Sequence, residues 1–449
     1  MRPPVSAALH AIVGDFAVIE GHARADAGIL CRDGAIVAAG TRAELSAAAA
    51  GAEVTWTHAA HRVLTPGTVN AHNHSFQSLL RGIADDRPFL EWRDQALYRW
   101  APRLGQGGVE IGALLAFSEM LLHGVTTVCD FFYIQDGGND NARAVLAAGR
   151  RLGMRTVLGR CFYDWDGAPA AFRESPAEAR SRFLELAREV AGDPLAFVLA
   201  APHSLHGASP RMIRTAAEAA DEAQTPLHIH LAEERYQVDD ALTRFGARPL
   251  HVVDQLDALG PRTVAVHGCW FDEGERALLA ERGAGLAYNP GSNMFLGDGV
   301  TDVVDLSARG VRIGLGTDGG CSNSRVSVFD EMRSCALLQK VQRLDGGAIS
   351  AETCFAMGTR GGGEVLGLPV GRLAPGYRAD VVGLDLDDPS LWPAFDLVKN
   401  IVYALSARAI RDVWVEGRRV VEDGRLCSLD LAEIGAKVRE LTSSWRSAA

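Results

Sequence analysis

Short apolar runs that stop abruptly at a polar residue recur along this chain. Leu227-His228-Ile229-His230 ends on a histidine, with Glu233 three residues past it. Val264-Ala265-Val266-His267 is capped by another histidine, and Val311-Arg312-Ile313-Gly314-Leu315-Gly316-Thr317-Asp318 by an aspartate. The run Arg62-Val63-Leu64, followed by turn-forming Pro66-Gly67, predicts a short strand whose C-terminal end carries His72 and His74. Between such runs lie amphipathic helical patterns, among them Ala177 to Ala191 and Pro210 to Ala223. Strands alternating with helices predict parallel βα units, and a polar residue at the end of each strand marks the catalytic face of a (β/α)8 TIM barrel.

The chain ends read differently. From Phe16 to about Val63, strand-like runs such as Gly28-Ile29-Leu30-Cys31 and Ala35 to Gly40 are split by turn signals like Arg32-Asp33-Gly34. Ala379 to Leu384 and Asp412 to Val421 look the same, so the two ends are expected to pair into one small β-sandwich domain. The predicted division is 1–65 and 375–428 for the two parts of the sandwich, 66–374 for the barrel, and 429–449 for a terminal helix, Leu431 to Trp445. The alanines Ala47 to Ala50 read as helix, and Gly361-Gly362-Gly363 as close helix packing, since it fits no phosphate-binding fingerprint.

Composition narrows the class. The 449 residues are 47% hydrophobic and 22% charged, enough for a large core with an ordinary surface. A net charge of −11 argues against nucleic acid or an acidic membrane surface as partner. The sequence shows no charged-then-apolar leader and no apolar run of the roughly 18 residues a membrane span needs, which makes the cytoplasm the expected location. The eight cysteines are scattered without a Cys-x-x-Cys pair, as befits reduced thiols. Cys321, beside the candidate site, reads as a packed small residue because no base is paired with it. The expected partner is a small-molecule substrate, and the expected assembly a homo-oligomer, a dimer.

The strand endings carry the chemistry. In a strand, side chains two apart share a face, so His72 and His74 point at one spot, and borderline cations such as zinc prefer nitrogen ligands. A lone His-x-His is weak. Joined by His230, His267 and Asp318, each where a hydrophobic strand stops, it predicts a metal site at the barrel mouth.

At this point the chain resembles the amidohydrolase superfamily, and within it the hydrolytic deaminases. The resemblance covers nearly the whole length. It rests on His72-x-His74, Pro202-His203-Ser204, His230-Leu231-Ala232-Glu233, His267, Asn289-Pro290-Gly291-Ser292-Asn293, Gly316-Thr317-Asp318-Gly319 and the tail segment Gly371 to Val382. Superfamily members with two metals commonly bridge them through a carboxylated lysine. Here the lysines are Lys340, Lys399 and Lys437, none of them at the end of a barrel strand before the His230 strand. The resemblance therefore implies one divalent metal ion, Zn2+, held by His72, His74, His230 and Asp318. Such a site would lower the pKa of its water from 15.7 toward ~7. Glu233 would shuttle the water's proton to the substrate nitrogen, Asp318 would accept a proton as well as bind metal, and His267 would polarise the substrate or hold the hydroxide. His228, deeper in its strand, reads as a core residue.

Substrate is read by finer similarity. The chain is similar to formimidoylglutamate deiminase in Ala71-His72-x-His74-x-Phe76-Gln77, Trp92-Arg93, Phe131-x-Tyr133 and Ala201-Pro202-His203-Ser204-Leu205. That likeness implies substrate carboxylates held by Gln77, Arg93 and Tyr133, with His203 facing the reacting end and a formimino amino acid such as N-formimino-L-glutamate as substrate. The family carries an arginine where this chain has His206, which implies a smaller or neutral second substrate group. The alternative is a deaminase of an aromatic heterocycle, of purine, pterin, S-adenosylhomocysteine, methylthioadenosine or s-triazine type. That branch matches in Leu79-Leu80-Arg81-Gly82, in Asn289-Pro290-x-Ser292-Asn293 and in Gly316-Thr317-Asp318-Gly319-x-x-Ser322-Asn323. Arg160 and Arg173 sit near where that branch binds carboxylates, while the glutamate that grips ribose falls at about Ala101, beside Trp100. A catalytically inactive barrel used as a binding scaffold is a third reading, countered by the complete ligand set.

Overall fold

The computed structural model describes residues 8–443 and Trp445. The chain opens with β1 (Leu9–Ile19), β2 (His22–Arg32), β3 (Ala35–Thr41) and β4 (Val54–Pro66). The turns Glu20-Gly21 and Asp33-Gly34 hold two successive residues at positive φ, the hairpin geometry whose twist matches that of its strands. Along β1, Leu9, Ala11 and Val13 lie under the helix Arg42–Ala48, whereas Ile12 and, past an irregularity of the β1–β4 register at Gly14–Phe16, Ala17 and Ile19 join an apolar cluster with Ile29, Leu64 and Trp414. A capping box between Thr41 and Glu44 starts that helix. It is shorter than the alanine run predicts, because Ala49 is its C-cap and Ala50 takes a left-handed φ of 49°.

The chain then builds a parallel sheet from β5 (Thr68–His74), β6 (Val125–Phe132), β7 (Arg155–Phe162), β8 (Ala196–Pro202), β9 (Leu227–Leu231), β10 (Thr263–His267), β11 (Gly285–Tyr288), β12 (Arg312–Leu315) and β13 (Asp318–Gly319). Every residue of β5, β6 and β7 is buried, as expected of strands enclosed by a core on one side and helices on the other. Closure depends on the broken eighth strand: β12 pairs with β11, while β13 pairs with β5. Between them Gly316 passes so close to β5 that a Cβ would collide with Asn289 Oδ1 and lie 2.8 Å from the His72 backbone. The result is a (β/α)8 barrel. The sequence expectation that Arg62–Leu64 leads directly into the histidine strand is corrected: those residues belong to β4, and the barrel strand starts anew at Thr68, after Pro66-Gly67.

The last strands, β14 (Val381–Asp385), β15 (Ile410–Val415), β16 (Arg418–Glu422) and β17 (Arg425–Leu426), return to the first sheet, in the order β17-β16-β15-β14-β4-β1-β2-β3. The two chain ends therefore share one small β-domain. Arg155 of β7, wholly buried, ion-pairs with Asp380 and Glu416 and fastens that domain to the barrel. The terminal helix spans Leu431–Thr442, ending short of the expected Trp445, and packs on the helix Gly105–Leu122. Among the described residues no helix is long and apolar enough to cross a membrane.

Candidate metal centre and active site

Three barrel strands, β5, β9 and β13, bring four candidate ligand atoms to one point. The ring nitrogen His72 Nε2 lies 3.3 Å from Asp318 Oδ1 and 3.2 Å from His230 Nε2, and His74 Nε2 lies 3.2 Å from the same aspartate oxygen. Tetrahedral zinc with bonds of about 2.0–2.1 Å separates its ligand atoms by roughly 3.4 Å, so this spacing fits a single divalent cation. The tautomers suit it too. His74 Nδ1 donates to Phe131 O at 2.6 Å and His230 Nδ1 to His203 O at 2.7 Å, which leaves each Nε2 lone pair free. Ser292 and Ser322 hydroxyls donate to Asp318 Oδ2 at 2.6 and 3.1 Å, and turn Oδ1 toward the histidines. Burial pushes the Asp318 carboxyl up, but the adjacent His72 and His74 side chains outweigh it and hold it well below the usual range. Burial drives His72 down to about 4, a neutral ligand.

Ala232 and His267 take left-handed φ of 48° and 70° where their strands stop, and Asp318 one of 56° where β13 begins. Non-glycine residues in that region store strain, and here they swing side chains into the barrel mouth. Glu233, in the loop after β9 rather than on a helix, places Oε1 3.4 Å from His267 Nε2. Burial, then the nearby Asp298 and Asp318, raises Glu233 well above the usual carboxyl range. Asn293 Nδ2 donates to His267 Nδ1 at 3.0 Å, so the imidazole proton sits on Nε2 and faces Glu233. Burial lowers His267 to about 3 and keeps it neutral.

A pocket opens above these groups. Its walls are Phe89, Trp92, Tyr98, Tyr133, Tyr163 and Phe172, with Gln77, Arg93, His203 and His206 as polar members. Gln77 Nε2 donates to Tyr133 OH at 3.0 Å. Arg93 begins a wide π-helical turn, Arg93–Tyr98; its guanidinium lies 4.7 Å over the Tyr98 ring and ion-pairs with Asp94 at 2.8 Å. His203 Nδ1 and His206 Nδ1 share the Ser204 hydroxyl at 2.9 and 3.1 Å. Burial, then the Arg93 charge, pushes His206 down to about 4. The carboxyl groups lining the pocket are Glu233 and Asp318.

The pattern of the amidohydrolase family matches residues 63–420. The chain is an amidohydrolase. It is 37% identical over 380 residues, 84% of each chain, to a 5-methylthioadenosine/S-adenosylhomocysteine deaminase of Syntrophobacter fumaroxidans. It is 36% identical over 368 residues to a 5'-deoxyadenosine deaminase of Methanothermobacter thermautotrophicus, covering 81% of this chain and 83% of that one. Among solved structures, an adenosine deaminase from Xanthomonas campestris with bound zinc superposes with a TM-score of 0.89 at 29% identity, over 99% of this chain and 100% of the other. This amidohydrolase is accordingly a metal-dependent hydrolase of carbon–nitrogen bonds, of the deaminase type. Its His/Asp cluster is suited to a divalent cation.

The structure gathers His72, His74, His230, Asp318, Glu233 and His267 at one point and puts Gln77, Arg93, Tyr133, His203 and His206 around the pocket above it. Two arginines expected near the substrate are elsewhere. Arg160 is fully buried and its fork is taken by Glu174 at 2.5 and 2.8 Å; Arg173 bonds Asp166 O at the surface. His228 stacks on His72 at 5.3 Å between ring centres and contributes no atom to the cluster. Sequence reasoning missed Asp298, whose only local signal is a carboxylate between two glycines just after the Asn289-Pro290-Gly291-Ser292-Asn293 run. It also missed the aromatic wall of Tyr98, Tyr163 and Phe172. These residues come from separate elements, so no spacing along the chain connects them.

Proposed function

We propose that this amidohydrolase hydrolytically removes the exocyclic amino group of an adenine-type ring, releasing ammonia, with zinc as its metal. The observation that carries the reading is the facing pair Glu233 and His267, set above the converging His72, His74, His230 and Asp318. When bound, the cation supplies an activated water at neutral pH. Glu233, held protonated by burial, donates to the ring nitrogen next to the attacked carbon. Glu233 regains a proton from the attacking water, and Asp318, ionised, takes that water's other proton and passes it to the departing amine. His267 Nε2–H donates to the oxygen as charge develops there.

Six aromatic rings around the pocket suit a planar heterocycle, and the named relatives act on adenine nucleosides. Both support the ring reading above the acyclic formimino one. A further point weighs against the pair of carboxylate clamps that the formimino reading needs: Gln77 and Tyr133 are bonded to each other. Ala101 and Trp100 are buried away from the pocket, so no glutamate waits there for ribose hydroxyls. The sugar side of the substrate then meets aromatic faces and Arg93 instead. The test is ammonia release from 5'-deoxyadenosine, methylthioadenosine, S-adenosylhomocysteine, adenosine and N-formimino-L-glutamate by zinc-loaded enzyme. Turnover of adenine compounds is expected; turnover of the formimino compound alone would return the acyclic substrate to first place.

A further inference from the structure

Ser204 stands between two pocket histidines and can satisfy them only in opposite senses. Its hydroxyl lies 2.9 Å from His203 Nδ1 and 3.1 Å from His206 Nδ1, and it accepts from the Gly207 amide at 3.0 Å. A hydroxyl has one proton and two lone pairs. The amide takes one lone pair, so one imidazole must receive the hydroxyl proton at Nδ1 while the other donates its own Nδ1–H to the lone pair that remains. The arrangement is tightly enclosed: Ser204 is buried, and a Cβ on Gly207 would lie 2.8 Å from His203 Nδ1. Both rings line the pocket, and among the described residues no group is bonded to either Nε2. One Nε2 therefore faces the substrate as a donor and the other, in a neutral ring, as an acceptor.

We propose that Ser204 sets His203 and His206 in opposite tautomers, and that His206 Nε2 is the acceptor for a hydroxyl on the sugar side of the substrate. The inference rests on the adenine reading. His203 is the inner ring, its centre 5.0 Å from that of His230 and 5.6 Å from that of Tyr133, and so it meets the heterocycle. With Glu233 serving the nitrogen beside the attacked carbon, the other free ring nitrogens of an adenine only accept. His203 must then present Nε2–H, which makes its Nδ1 the taker of the Ser204 proton. His206 in turn gives Nδ1–H to Ser204 and keeps a lone pair on Nε2. It stands farther out, 6.4 Å from Tyr236 between ring centres, and burial, then the Arg93 charge, keeps it neutral. The other polar groups at this end are committed: Gln77 to Tyr133 and Tyr98 to Tyr163, while Arg93 only donates. A sugar O–H is the group that suits this lone pair.

The tautomers are read by nitrogen NMR of isotope-labelled histidines in zinc-loaded, substrate-free enzyme, with the two rings assigned by their loss in His203→Gln and His206→Gln. One imidazole protonated at Nδ1 and the other at Nε2 is the expected result. Two alike, or signals unchanged in Ser204→Ala, would overturn the role of Ser204 whichever substrate the enzyme takes. The hydroxyl is tested by kcat/KM for 5'-deoxyadenosine against its 2'- and 3'-deoxy counterparts. Wild type should favour the full compound over one of the two by roughly tenfold, the worth of a good neutral hydrogen bond. His206→Phe should bring that ratio near one by raising KM for the full compound alone, whereas His206→Gln, which keeps an acceptor oxygen, should hold most of it. Ser204→Ala should lower the ratio by a smaller factor. A wild-type ratio near one, an unaltered ratio in His206→Phe, or equal loss with every compound would overturn the assignment of His206. If no adenine compound is turned over, that assignment falls together with the adenine reading, and the spectra alone decide whether Ser204 couples the two rings.

Discussion

At Glu233 the decisive quantity is protonation. In the proposed reaction Glu233, its carboxyl raised by burial beside Asp298 and Asp318, acts as an acid, whereas Asp318, held low beside two imidazoles, acts as a base. Glu233→Gln preserves size and its bond with Gln237, and should keep the metal while lowering kcat by at least ~10²-fold, the low end for a general acid. Parallel metal analysis and steady-state kinetics check this, and normal turnover by the metal-loaded variant would hand the proton to Asp318 alone. Arg93 belongs to recognition. Arg93→Ala should cost about 2 kcal/mol with a substrate bearing a distal carboxylate, seen in KM, and almost nothing with a neutral one. Comparing S-adenosylhomocysteine with 5'-deoxyadenosine in wild type and variant makes the measurement, and an equal effect on both would remove Arg93 from substrate contact.

Among the elements, β7 and the β14–β15 region are joined by the buried Arg155, Asp380 and Glu416. Burial outweighs the attraction of Arg155 and leaves the Asp380 carboxyl raised, so the pair is held by its geometry and by the Glu416 amide, which donates to Asp380 Oδ1 at 3.0 Å. Removing one partner strands a buried charge, which typically costs about 3–5 kcal/mol. Asp380→Ala should therefore lower the thermal unfolding midpoint markedly, while the exposed pair Arg244–Asp240 should be removable at a cost of under about 1 kcal/mol. Calorimetry on both variants tests the contrast. Near-equal midpoints would mean the β-domain is fastened by its apolar contacts instead.

Across the whole molecule, a group of neutral imidazoles makes stability depend on acid. His206 titrates near 4 when folded and near 6.5 when unfolded, so between those values the unfolded chain binds the extra proton. Its contribution to stability is intact above about pH 6.5 and is lost as pH falls toward 4. Urea midpoints measured across that window should fall with acid, and His206→Gln should show a slope smaller by one proton's worth than wild type. An unchanged slope would mean the imidazole is already solvated in the folded protein.

The apolar runs that end at His230, His267 and Asp318 made the barrel legible, because a parallel strand buried on both faces must be hydrophobic until it reaches the mouth. The same runs picked out the residues that converge at the mouth, since a side chain at a strand's end is a local feature. The separation of β4 from β5 was not legible: Pro66-Gly67 marks a turn, but only the pairing of Val381 with Pro66 assigns the preceding residues to another sheet. Arg160 and Arg173 were indistinguishable from substrate arginines until Glu174 and Asp166 were seen to occupy them. The aromatic wall and the facing pair Glu233 and His267 join residues from different elements, and Coulomb energy and desolvation act through space. Chain order therefore determined which groups stand at the mouth, and the tertiary structure alone decided which of them face one another and which carry a proton.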